Sequence, residues 1–209
     1  MKFLNPTLAA SLFFSPVVAV PNVTAIPLGA SSCRPWPNSH VAPDVDSSGG
    51  FQFFVTQSDD PGINDLPTTT QFWPTFGSST NVTDIVITPR KSTRFAQLWF
   101  RCVDSLVQLP GGSPVSVYPD PYGGVMTLRE GGYQLEAYAH EIGGVRQEGI
   151  FLGAHGSTTW GFVWSEPQGC GELDFYDAQL QGLPELPEGV VHHARKRPEF
   201  YGFIRVVPV

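Results

Sequence analysis

The sequence predicts an antiparallel all-β fold, a jelly-roll-like β-sandwich, with a closed β-barrel as the alternative. Three observations carry this reading. Apolar and polar residues alternate with period two in ten short runs, and no run follows the 3.6-residue period of a helix. Twenty-two Gly and 20 Pro fall largely between those runs, where they act as turn residues. Charged residues make up only 15% of the chain and aromatic residues 12%, a balance that supports a packed core rather than disorder. With no helix long enough for a parallel crossover, the strands must pair antiparallel in two packed layers.

Taken in order, the chain opens as a secretory leader over residues 1–19. Lys2 supplies the positive charge, "FLNPTLAASLFFSPVVAV" an interrupted apolar run, and small residues permit cleavage after Ala19 or after Ala25. Asn5, Pro6 and Pro16 interrupt the run, which falls short of the roughly 20 apolar residues a membrane span requires. The expected mature protein is secreted, with no membrane span. Residues 26–50 are rich in Pro and Ser without strand periodicity, and read as an extended arm over the sandwich. Residues 51–209 read as one β-sandwich domain.

Its strand candidates are 51–57, 83–88, 94–102, 114–118, 124–128, 132–139, 149–154, 158–165, 172–176 and 200–207, separated by turns such as "PDPYGG", "REGG" and "AHGS". In 94–102, Ala96, Leu98, Phe100 and Cys102 share one face, the expected core face. In 158–165 the stripe of Trp160, Phe162 and Trp164 reads as core in preference to a sugar-stacking platform. Trp36 and Trp73 sit in Pro-flanked turns and are the expected exposed platforms.

Three cysteines in an oxidising compartment imply one bridge and one leftover thiol. Cys102 lies on a core face, where a free thiol is tolerated, so elimination pairs Cys33 with Cys170. Asn22 and Asn81 each begin an Asn-x-Thr glycosylation sequon. The formal net charge of -7 disfavours nucleic acid as a partner.

Four constellations bear on function. In "GYQLEAYAHE", Gln134, Glu136, Tyr138 and His140 fall on one strand face and offer amide, carboxylate, phenol and imidazole about 7 Å apart. This is the expected ligand-binding stripe, completed by Trp73 or Trp36, with Glu136 and His140 as acid and base if the protein is catalytic. "DVDSSGG" places Asp44, Asp46 and Ser48 as in the opening of a calcium loop, but Val55 stands where the closing Glu is needed, and an ordinary turn is the preferred reading. "HHARKRPEF" gathers two histidines and three cations. It reads as a solvated loop, ahead of an anion site or a processing site blocked by Pro198. No cofactor or metal is implied. The chemistry leaves two classes: a secreted binding protein for glycan, cell-wall polysaccharide or an extracellular protein, or a secreted polysaccharide hydrolase or lyase that uses carboxylates on a sheet face.

Overall fold

The computed structural model describes residues 19–29, 31–73, 82–89, 98–128, 131–165, 174–184 and 196–209. The leader therefore lies outside the described residues, apart from Ala19. Seventeen strands run through the described residues: β1 (Thr24–Pro27), β2 (His40–Ala42), β3 (Val45–Ser47), β4 (Phe51–Thr56), β5 (Thr68–Trp73), β6 (Val82–Ile87), β7 (Arg101–Val103), β8 (Leu106–Gln108) and β9 (Ser116–Tyr118) in the first half. The second half holds β10 (Gly124–Thr127), β11 (Tyr133–Gln134), β12 (Glu136–Ile142), β13 (Val145–Arg146), β14 (Ile150–Gly153), β15 (Trp160–Ser165), β16 (Phe175–Leu180) and β17 (Phe200–Pro208). No helix among the described residues is long and apolar enough to cross a membrane.

Thirteen strands form one antiparallel sheet along the path β1-β12-β14-β17-β15-β16-β6-β10-β9-β11, with β13, β4 and β5 branching from it. The nine-residue β17 lets this sheet curl into two layers. Its first residues, Phe200 to Gly202, pair with β15. Its remainder, Phe203 to Pro208, pairs with β4, and Arg205 and Val206 pair with β14 on the opposite edge. The ends of the path, β1 and β11, do not pair with each other, so the sheet is curled into a sandwich and is not a closed barrel.

The alternation read from the sequence decides what each layer turns inward. Phe53, Val55, Ala137, Leu152, Ile204 and Val206 from one layer meet Ile85, Ile87, Met126, Trp160, Phe162 and Leu180 from the other in one continuous core. Each such large side chain contributes about 1.5–3 kcal/mol when fully buried. The indole N–H of Trp160 donates to the carbonyl of Leu152 at 2.9 Å, so the buried donor is satisfied. The Trp160, Phe162, Trp164 stripe is thus core at its first two positions, as the sequence indicated.

Residues 26–50 depart from the expected arm. They contain β2 and β3, which join β7 and β8 in a second, four-stranded sheet. Trp36, expected to be exposed, is 4% exposed and stacks on Phe51 with ring centroids 4.9 Å apart. Phe100 lies between this small sheet and the main one, 4.2 Å from Phe53 centroid to centroid. The segment lacks period-two alternation because its strands are only three residues long and mostly exposed, while its burial comes from single anchors.

The disulfide also differs from expectation. Cys33 bonds to Cys102, with Cα atoms 5.4 Å apart, and not to Cys170, which lies outside the described residues. The core-facing parity of Cys102 was read correctly, but elimination took that face to be closed to a partner. Because 26–50 folds inward, Cys33 arrives on the same face, and both cysteines are fully buried.

Candidate functional site

The expected stripe keeps its register but not its exposure. Tyr138 and His140 do point away from the main core, since Ala137 and Ala139 occupy the inner face. The outer face is covered, however. Tyr138, Phe151 and Phe203 form a second cluster, against which Val20, Val23 and Ala25 pack as β1 runs antiparallel to β12. The Tyr138 hydroxyl donates to Glu136 and accepts the Gly156 N–H at 2.7 Å. Burial, followed by the bond to Glu136, pushes its ionisation upward. The His140 ring stacks on Phe151 at 3.8 Å and bonds through Nε2 to Thr158 Oγ1 at 2.9 Å. Burial lowers its pKa from 6.5 to about 4, away from the neutral range a general base needs. Gln134 is exposed but sits on β11, which pairs with β9 rather than continuing β12. The four side chains therefore do not form an open site.

This cover bears on where the folded chain starts. A protein beginning at Ile26 lacks Val20, Val23 and Ala25, and is expected to be roughly 2 kcal/mol less stable than one beginning at Val20. Paired denaturant titrations of the two forms measure the difference, and coincident curves would show that the cover contributes nothing.

Asn22 is exposed just ahead of β1. Trp73 ends β5, and its side chain lies outside the described residues, as do Asn81, His192 and His193. In the calcium-like stretch, Asp46 accepts the Cys33 N–H at 2.8 Å and the Ser48 hydroxyl accepts the Cys102 N–H at 2.8 Å. Those oxygens tie the small sheet to the disulfide.

A different place in the fold gathers recognition chemistry. Three connections converge at one end of β15, β16 and β17 around a cleft of about 600 Å³. The β9–β10 turn supplies Asp120 and Tyr122, the segment after β16 supplies Gln181 and Leu183, the approach to β17 supplies Arg197 and Pro198, and β17 itself supplies Tyr201. Glycine makes this convergence possible. A Cβ on Gly161 would lie 2.4 Å from Pro198, and one on Gly124 would lie 2.2 Å from Leu183. Gly123, at φ +136°, lets the turn fold back so closely that a Cβ there would lie 2.6 Å from the Gln181 amide. That amide donates to the carbonyls of Tyr122 and Gln179 at 3.0 and 2.8 Å, stitching two walls together.

Tyr122 and Tyr201 are each 38% exposed, which leaves part of both side chains open to a ligand. Asp120 accepts the Tyr122 N–H at 3.4 Å, an Asx turn that shapes the wall. Sequence reasoning identified "PDPYGG" and "HHARKRPEF" as loops but did not single out Asp120, Tyr122, Gln181 or Tyr201. Their common signal was proline and glycine beside a tyrosine, and it carries no information about which loops meet. No protein-family model matches the chain, and no curated protein is significantly similar to it.

Gly161→Ala tests the construction of this wall. The added methyl meets the rigid Pro198 ring, and overpacking of this kind costs about 1–3 kcal/mol. Hydrogen exchange is expected to rise at 196–201 while β16 stays protected. Unchanged exchange there would mean that Pro198 does not depend on the glycine.

Proposed function

We propose that this chain is an extracellular binding protein whose cleft between the β9–β10 turn, the segment after β16 and the start of β17 takes a glycan. The observation that carries the reading is the pair of half-exposed tyrosines, Tyr122 and Tyr201, lining a cleft that also presents Asp120, Gln181 and Arg197. A pyranose has an apolar C–H face and a rim of hydroxyls. Flat phenol rings bury the first, while carboxylate, amide and guanidinium groups bond the second. A volume of about 600 Å³ lies within the usual range for small-ligand sites. The leader-like N-terminus, the buried disulfide and the exposed Asn22 sequon support an extracellular setting.

Binding is favoured over hydrolysis because Asp120 is the single carboxylate among the described lining residues. Two-carboxylate glycoside cleavage needs a second one within about 10 Å. The test is a glycan-array screen of the protein beginning at Val20, followed by titration of Tyr122→Ala and Tyr201→Ala. Each variant is expected to weaken the bound saccharide about tenfold, because each removes one stacking face. Absence of any saccharide ligand, or full affinity in both variants, would overturn the reading.

A further inference from the structure

Resting on the reading of this cleft as a saccharide site, we infer that its ligand carries one isolated carboxylate, as in a glycan ending in a uronic acid, and that Arg197 is the residue that pairs with it. The observation behind this is how firmly the backbone around Arg197 is held. The Lys196 carbonyl accepts from Gln179 Nε2 at 3.2 Å. The Pro198 ring lies on Gly161, where no side chain stands between them. The Glu199 N–H donates to the Phe162 carbonyl at 2.9 Å. Anchors at 196, 198 and 199 thus bracket Arg197 and fix its backbone at the edge of the cleft. The Arg197 side chain is nevertheless exposed, lines the cleft and has no hydrogen bond or ion pair among the described residues.

A planar guanidinium on a fixed backbone is suited to a carboxylate, which it meets through two parallel N–H···O bonds. Asp120, the carboxylate on the facing wall, already accepts the Tyr122 N–H. The charge of the whole chain limits the ligand further. Nineteen acidic residues against 12 basic ones set up a field that repels an extended polyanion. A single carboxylate inside the cleft interacts at contact distance, where screening over a Debye length of about 8 Å matters little. The match is therefore to one terminal acid, not to a polyuronate chain.

The experiment is isothermal titration of the protein beginning at Val20 with four probes. These are a disaccharide ending in glucuronate, the same disaccharide ending in glucose, its sulfated counterpart, and polygalacturonate. The glucuronate form is expected to bind at least tenfold more tightly than the glucose form. Arg197→Ala is expected to remove that preference, Arg197→Lys to restore only part of it, and the melting temperature to stay unchanged in both. Equal binding of the two disaccharides, or a preference that survives Arg197→Ala, overturns the inference while leaving the cleft as a neutral-sugar site. Tighter binding of the sulfated form or of polygalacturonate overturns the choice of an isolated carboxylate. Failure of every probe and of the wider glycan array overturns the saccharide reading itself.

Discussion

Replacing Cys102 by alanine is expected to lower the stability of the protein by about 4 kcal/mol. The bond joins positions 69 residues apart, and closing a loop of that length in the unfolded chain accounts for most of the loss. The four-stranded sheet has little to compensate with. Each strand of the four-stranded sheet is three residues long, and Val41 and Val45 are 40% and 42% exposed. Such a sheet does not persist alone. It is held by the disulfide, by the Trp36 ring on Phe51 and by the Asp46 and Ser48 bonds at the two cysteine N–H groups. Hydrogen exchange at 40–47 and 101–108 should therefore rise before the main sheet opens, and the denaturation midpoint should fall on reduction. A midpoint insensitive to reductant would show that these anchors suffice without the bond. Non-reducing peptide mapping that joined Cys33 to Cys170 would contradict the assignment outright.

Acidification is expected to cost a further part of the stability, about 3 kcal/mol between pH 6.5 and pH 4, through His140 alone. Its folded pKa is lowered to about 4 by burial, whereas the unfolded chain titrates near 6.5. Between those values the unfolded state binds a proton that the folded state refuses. The contribution is thus complete above pH 6.5 and is lost as pH falls towards 4. The geometry explains the refusal. The ring lies between Phe151 and Phe203, and its Nδ1 is buried without a hydrogen-bond partner among the described residues, so the imidazolium would hold its Nδ1–H there with no acceptor. His140→Phe keeps the stacked ring and removes the titration. Stability of this variant measured across pH 4 to 7 should vary less than wild type by about that amount. An equal acid limb in both proteins would place the sensitive group elsewhere.

The sandwich was legible because its long strands obey one rule at both ends. In β4, β15 and β17 the inward residues stand at every second position, so parity alone separated Phe53 from Gln52 and Ile204 from Arg205. Parity also placed Cys102 and the Tyr138 face correctly. What parity does not report is what covers a face. Gln134 to His140 read as an open polar stripe, but β1 adds at the edge of β12 and turns Val20, Val23 and Ala25 over the middle of it. Those residues lie between the two cleavage points the sequence offers, after Ala19 and after Ala25, and belong to no strand candidate. Trp36 was misplaced for the related reason that a Pro-flanked turn can fold inward when a phenylalanine waits beneath it. The cleft was the least legible part. Its walls come from three separate stretches of the chain, 119–123, 181–184 and 197–201, and the glycines at 123, 124 and 161 mark where they touch.

The most direct test of the cleft as the binding site is hydrogen exchange of the protein with and without the best saccharide from the array. Protection confined to 119–123, 181–184 and 197–201 is the predicted result. Protection centred instead on Gln134, on the end of β5 at Trp73 or on the four-stranded sheet, with those three segments unchanged, would contradict it.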